Sequence, residues 1–276
     1  MEENRNSRIA VLMTVHNRKQ VTLSCLDALY KSVLTGVHLD VYMTDDGCTD
    51  GTADMVKLDY PDVIVLSGDG SLFWNRGMYK AWTAAARIGY DYYLWLNDDT
   101  LLFSDSIQRL LVCSSRYADK ALIVGSTCST EDPEAVTYGG WKKGKLLGKS
   151  TDDQRCDTVS GNIVLVPEQV FAILGFNDPY YRHSTGDTDY GLRAKEKEIP
   201  VICAGGLYGT CDLHSHKPIW MDASYPLKER VSNLYSPLGN NPIEYFHFRK
   251  RHYGLLPACL TFFSNMIHVI FPRLWY

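Results

Sequence analysis

Two adjacent carboxylates, Asp98 and Asp99, close the apolar run Tyr92-Tyr93-Leu94-Trp95-Leu96-Asn97, and this is the strongest chemical signal in the sequence. Neighbouring Asp side chains repel each other unless a cation or hydrogen-bond donors hold them. Oxygen ligands with few protein contacts suit Mg²⁺ or Mn²⁺, ions that usually complete their shell with substrate phosphates. The alternative is a solvated Asp-Asp turn at the end of a strand. Other groups capable of chemistry are spread along the chain: Asp45-Asp46-Gly47-Cys48-Thr49-Asp50, Gly186-Asp187-Thr188-Asp189, and Leu213-His214-Ser215-His216. His214 and His216, at i and i+2, share one face of an extended segment, where they read either as added metal ligands or as a surface pair.

The elements that must position these groups follow from periodicity. Five large apolar residues in a row, 92–96, read as a strand buried on both faces, the kind that sits inside a parallel sheet covered by helices. In open α/β sheets ligands bind beyond the carboxyl ends of the strands, where Asp98 and Asp99 fall. Upstream, residues 9–14 form a first strand, and Asn17 with Gln20 has the spacing of a capping box opening a helix that carries Val21, Cys25, Leu29 and Val33. A strand at 39–44 leads to the Asp- and Gly-rich turn 45–52, then a helix near 53–57, a strand at 63–66 and a helix at 74–88. This alternation predicts right-handed βαβ units and a parallel sheet. Beyond Thr100 the pattern loosens into a helix at 106–117, a strand at 121–126, a meander over 136–147 and a strand at 159–166. A helix at 167–174 opens on Pro167 at its first position, and another covers 187–197.

Composition bounds the functional class. The 276 residues are 45% hydrophobic and 22% charged, an ordinary globular balance that excludes disorder for the bulk of the chain. Residues 223–276 carry a net charge of +4 against −8 for residues 1–222, giving the overall −4. An acidic body argues against nucleic-acid binding and means that an anionic substrate needs a metal or local donors. The eight cysteines show no paired spacing, so neither a zinc ribbon nor a disulfide framework is indicated, and a reducing, cytoplasmic setting is expected. Residues 1–8 lack the apolar core of a signal peptide, so the chain is not expected to be exported.

Four motifs in order, Thr14-Val15-His16-Asn17-Arg18, residues 45–52, Asn97-Asp98-Asp99 and Gly186-Asp187-Thr188-Asp189-Tyr190-Gly191-Leu192-Arg193, resemble those of the family 2 glycosyltransferases. These are inverting enzymes of the GT-A fold that use sugar nucleotides. The wording Leu96-Asn97-Asp98-Asp99-Thr100 and the later run Tyr245-Phe246-His247-Phe248-Arg249-Lys250-Arg251 are most similar to the rhamnosyltransferase-like branch that builds bacterial surface polysaccharides. The resemblance implies an α/β GT-A fold: a mostly parallel central sheet flanked by helices, with a Rossmann-like nucleotide half (8–100), an acceptor half (101–222) and a C-terminal helical extension (223–276). It implies transfer from a UDP or dTDP sugar to a glycan or lipid-linked acceptor, with Mg²⁺ or Mn²⁺. A sugar nucleotidyltransferase and an inactive sugar-nucleotide-binding scaffold are the alternatives.

The resemblance also suggests roles. Asp46 accepts a hydrogen bond from the pyrimidine ring, while Asp45 reads better as an Asx turn. Thr14, His16, Asn17 and Arg18 line the nucleotide pocket, with Arg18 available to the phosphates and solvated capping residues as the alternative. Asp99 is the metal ligand, Asp98 lies nearer the ribose, and His214 or His216 adds a further ligand. Asp187 is the general base, at a helix start where an acid also suits the dipole. Asp189 contacts the acceptor, and Arg193 either pairs with Asp189 or reaches a phosphate. Trp74, Asn75 and Arg76 face the donor, with core packing of Trp74 as the alternative. Trp141 and Tyr180-Tyr181-Arg182-His183 are expected at an acceptor lip.

The C-terminal apolar stretch 255–271 is short of the ~20 residues that span a bilayer, and the basic cluster Arg249-Lys250-Arg251-His252 precedes it. Such a helix is expected either to lie on an anionic membrane surface, at the inner face of the plasma membrane, or to pack on the body or in a homodimer.

Overall fold

The structure, a computed structural model, describes residues 6–213 and 217–275. Its first half alternates as the sequence predicts: β1 (Ser7–Val15), α1 (Lys19–Tyr30), β2 (Val37–Asp45), α2 (Thr52–Asp59), β3 (Ile64–Ser67), α3 (Phe73–Ala86) and β4 (Tyr92–Leu96). The middle holds β5 (Leu101–Leu102), α4 (Ser106–Arg116), β6 (Leu122–Cys128), β7 (Val136–Tyr138), β8 (Gly140–Lys142), β9 (Lys145–Leu146), β10 (Gln154–Arg155), β11 (Thr158–Val159) and β12 (Ile163–Pro167). Then come α5 (Glu168–Leu174), α6 (Gly186–Glu196) and β13 (Val201–Thr210), and the extension adds α7 (Leu227–Tyr235), α8 (Pro242–Tyr253) and α9 (Leu255–Ile270).

The main sheet runs β10-β13-β6-β12-β4-β1-β2-β3. β4, β1, β2 and β3 pair in parallel, as does β13 with β6. β12 inserts antiparallel between β4 and β6, so the sheet is mostly rather than wholly parallel. A small separate sheet, β11-β8-β9, stands beside it.

Alternation along β1 divides the core. Ile9, Val11 and Met13 pack with Leu26 and Leu29 of α1 on one face, while Ala10 and Leu12 pack with Met78, Ala81 and Trp82 of α3 on the other. A strand apolar at every position is therefore buried on both sides. The Trp82 ring packs edge-on or tilted with its centroid within 6 Å of those of Tyr93, Trp95, Phe171, Phe176 and Tyr190, fixing α3, β4, α5 and α6 together.

Three local expectations need correction. Asn17 and Gln20 form no capping box: α1 begins at Lys19, whose N–H is taken by Asp50 Oδ2 at 3.0 Å from the next loop, so a distant carboxylate does the capping. Pro167 ends β12 in extended conformation and precedes α5 instead of opening it. The strand expected at 159–166 is split, because residues 160–162 leave the ladder between β11 and β12 and turn toward a cavity.

Candidate active site

A cavity of about 860 Å³ opens beyond the carboxyl ends of β1 and β4. One wall comes from the loops after β1, β2 and β4, with Thr14, His16, Arg18, Asp46, Asp98 and Asp99. The facing wall comes from β7, β8, the 160–162 break and the start of α6, with Tyr138, Trp141, Gly161 and Asp187.

The two carboxylates after β4 share one guanidinium. Arg18 Nη2 lies 2.8 Å from Asp98 Oδ1 and 2.7 Å from Asp99 Oδ2. Thr22 Oγ1 donates to Asp98 Oδ2 at 3.2 Å, and the Cys211 thiol approaches Asp99 Oδ1 at 3.5 Å. Burial pushes the Asp98 carboxyl up to about 6, a rise that Asp99 reinforces and Arg18 opposes. Asp98 is thus an inward carboxylate bound to Arg18 and Thr22, while Asp99 stands in the cavity wall.

Asp46 is 98% buried from solvent by its loop, with 2% exposure remaining. Its Oδ1 accepts from the N–H groups of Gly70 at 2.9 Å and Leu72 at 3.2 Å, and its Oδ2 accepts from Phe73 at 2.8 Å. His16 Nδ1 donates to the Asp46 carbonyl at 2.6 Å. Asp45 Oδ1 accepts from the Cys48 N–H at 2.8 Å, three residues on, so it braces the loop by a bond one residue longer than the Asx turn expected of it.

Asp187 sits in the first turn of α6. Its Oδ1 accepts from Thr188 N–H at 2.7 Å and its Oδ2 from Gly161 N–H at 3.0 Å. Burial raises its pKa and outweighs these amides, which favour the ionised form. A chain of contacts joins this acid to the other wall. Trp74 Nε1 donates to Asn97 Oδ1 at 2.7 Å, and the indole lies so close to Gly161 that an added Cβ would stand 2.4 Å from it. Gly161 in turn donates to Asp187. Two non-glycine residues of the lining, Phe73 and Thr185, hold positive φ of 57° and 70°. For an aromatic and a β-branched side chain this is stored backbone strain, which clusters at functional sites.

Several residues expected at the site are placed elsewhere. Asn17 Oδ1 accepts from Thr49 N–H at 2.7 Å and ties two loops together outside the cavity lining. Asn75 is fully buried, its Nδ2 donating to the carbonyls of Asp178 at 2.8 Å and Tyr181 at 2.7 Å. Arg76 donates to the Pro179 carbonyl at 2.9 Å. Both therefore grip the 178–182 segment rather than a donor. Asp189 faces away from the cavity, fully buried, where its carboxylate meets Arg193 Nε at 3.0 Å, Arg251 Nη1 at 3.2 Å and His252 Nε2 at 2.8 Å. Arg193 also donates to the carbonyls of Leu174 and Phe176, so it holds the fold and not a phosphate. Asp187 and Asp189 stand two residues apart on α6, about 200° around the helix, which sends them to opposite sides.

Around Asp189 the extension grips the segment leading to Asp187. Arg251 also pairs with Asp178 at 2.8 Å, and Arg182 Nε pairs with Glu244 Oε1 at 2.6 Å. Tyr180 stacks on His247 with centroids 4.1 Å apart. Residues that sequence reasoning passed over include Gly161, Asn162, Thr185 and Leu238 of the cavity wall. None carries a sequence signal of its own; only the break in the 159–166 apolar run hints at the first two.

Among the described residues, the carboxylates of Asp98 and Asp99 are the oxygen donors that a divalent cation would meet at this wall, with the Cys211 thiol beside Asp99. Among the described residues no cluster of three or more His, Cys, Asp or Glu could cage a metal, and His214 and His216 lie outside the described residues. Asp99, one carboxylate in the wall beside Asp98, fits an ion that arrives with a diphosphate and keeps much of its shell on phosphate and water.

Residues 10–148 match the family described as Glycosyl transferase family 2. A comparison with curated proteins finds no match. Among solved structures, the chain superposes on GalNAc-T7 with UDP, GalNAc and Mn²⁺ at a TM-score of 0.55 and 13% identity, over 84% of this chain and 48% of that one. It thus spans about half the length of that structure. S. aureus TarS 1-349 gives 0.57 at 11% identity, over 95% and 80% of the two chains. The mannosyltransferase PcManGT from Pyrobaculum calidifontis in complex with GDP-Man and Mn²⁺ gives 0.57 at 14% identity, over 98% and 83%. These likenesses establish the GT-A fold.

Proposed function

The chain belongs to glycosyl transferase family 2, and from that membership we propose that it is a metal-assisted, inverting glycosyltransferase. It moves a sugar from a pyrimidine nucleoside diphosphate, UDP or dTDP, to a hydroxyl of a glycan or lipid-linked acceptor in bacterial surface polysaccharide synthesis, on the pattern of the rhamnosyltransferase-like branch. The observation that carries this reading is that Asp98 and Asp99 on one wall and Asp187 on the other line a single cavity while being held by separate partners. Two of the similar structures contain a nucleotide or sugar nucleotide with Mn²⁺, which supports a cation and a donor of that class here.

Each wall then has a task. Thr14, His16 and Asp46 bound the nucleotide end, where the remaining acceptor capacity of Asp46 Oδ2 meets a pyrimidine N–H. Arg18, now on the acidic pair, lies within reach of a diphosphate. The chemistry that Mg²⁺ or Mn²⁺ supplies beside Asp99 is neutralisation of the charge on the departing diphosphate. Trp74 presents its ring between the two walls, against the sugar. Ionised Asp187 takes the proton of the acceptor hydroxyl, whose oxygen forms the new bond to the anomeric carbon as the bond to the diphosphate breaks on the opposite side. Inversion follows from that opposed geometry.

The test is a screen of UDP and dTDP sugars with Mn²⁺ against glycan acceptors, scored by nucleoside diphosphate release and by the anomeric configuration of the product from NMR coupling. An inverted product supports the reading; a retained configuration refutes the role given to Asp187.

A further inference from the structure

α9 has two apolar faces. Ala258, Asn265 and Val269 are buried, and Val269 packs with Trp220 and with Leu234 of α7. On the opposite side Leu256, Leu260, Phe263, Ile267 and Ile270 are exposed at 70, 62, 63, 50 and 47%, and Leu274, in the turn after the helix ends, is exposed at 62%. The separations of the five helical positions, 4, 3, 4 and 3, are those of the a and d positions of a heptad repeat. A strict a/d stripe is the narrow seam by which one helix meets another, rather than the broad face of a helix packed on a core.

We propose that this seam binds a second copy of the chain, α9 against α9, in a two-fold symmetric dimer. Three observations favour a second copy as the occupant. First, residues 255–270 contain no Asp, Glu, Lys or Arg, so a self-complementary pairing brings no like charges together. Second, these six residues expose on the order of 650 Å² per copy, which with full burial approaches the roughly 800 Å² per partner of a standard specific interface. Third, a helix lying on an anionic bilayer draws on Lys and Arg along its flanks, whereas two of the basic residues preceding α9 are turned to the protein itself. Arg251 pairs with Asp178 and Asp189, and the Arg249 guanidinium lies 4.3 Å from the centre of the Tyr253 ring. No described helix is long and apolar enough to cross a membrane.

The test is light scattering on the full chain during gel filtration, for the wild type and for the double variant Phe263→Glu/Ile267→Glu, alongside flotation with vesicles of mixed neutral and anionic phospholipid. The expected result is a mass of two chains for the wild type and one for the variant, with dimer affinity at least 100-fold weaker and the melting temperature of the variant monomer kept. Leu260→Glu, at a single exposed position, serves if the double variant does not fold. A wild type of one chain's mass overturns the proposal, as does a dimer unmoved by these substitutions. Flotation of a one-chain species that the same substitutions abolish also overturns it and assigns the seam to lipid.

Discussion

Replacing Asp189 by Asn isolates the structural carboxylate of α6 from the candidate base two residues before it. In the structure Asp189 is fully buried and sits among Arg193, Arg251 and His252 at 3.0, 3.2 and 2.8 Å. The amide keeps the shape but removes the charge, leaving partly buried cations uncompensated. Breaking a buried ion pair from one side costs about 3–5 kcal/mol. At about 2–4 °C per kcal/mol for domains approaching this size, the melting temperature should fall by about 10 °C. The same change should alter the pH dependence of stability. Burial alone would lower the His252 pKa, but its hydrogen bonds to Asp189 and to Glu196 at 2.7 Å prevail and raise it. A raised histidine contributes stability that is complete below its unfolded value of about 6.5 and is lost as pH rises through the folded value. Facing that ring are Asp189 and Glu196, with Arg251 and Arg193 sharing Asp189 and Phe248 packed beside it. Thermal melts of wild type and Asp189→Asn across pH 5.5–8.5 therefore should show a decline in the wild type above about 6.5 that is flattened in the variant. A variant that melts within 2 °C of the wild type, with the same pH profile, would refute the assignment of Asp189 to the fold.

Asp187→Asn should lower turnover by ~10²–10⁴-fold with nucleotide affinity kept, measured by initial rates and calorimetry. Because burial raises the Asp187 pKa, wild-type turnover should fall on acidification with a midpoint above the ordinary carboxylate value of about 3.9, and that limb should vanish in the variant. Gly186→Ala would place a methyl 1.9 Å from Asn75 Oδ1; the resulting overpacking should cost about 1–3 kcal/mol by urea denaturation and reduce turnover by displacing Asp187. Trp74→Phe removes the hydrogen bond to Asn97 Oδ1 and should destabilise by about 1 kcal/mol, measured by urea denaturation.

Much of the first half was legible in the sequence because its strands carry short apolar runs and two of its helices, α2 and α3, follow loops rich in Asp and Gly. β12 was legible as a strand but not in direction, since a run buried on both faces reads the same parallel or antiparallel. The loops carrying Asp46, Asp98 and Asp187 were found from local motifs. The neighbours Asn75, Arg76 and Asp189 were misplaced because proximity in sequence says nothing about which side of a helix faces the cavity, while Arg193 makes the pairing with Asp189 that its i,i+4 spacing offered. Each step along α3 or α6 turns about 100°, so Trp74 reaches the lining while Asn75 and Arg76 turn to the 178–182 segment. Glu244, His247 and Arg251 stabilise that segment from more than 60 residues away, which no motif encodes.

The central claim is that a nucleoside diphosphate binds this cavity with a cation at Asp99. Titration calorimetry of UDP and dTDP, with and without Mn²⁺, into wild type and Asp99→Asn measures it most directly. The account predicts binding that requires Mn²⁺ and is lost in the variant while the melt is retained; binding indifferent to both Mn²⁺ and Asp99, or no binding of either nucleotide to the wild type, would contradict it.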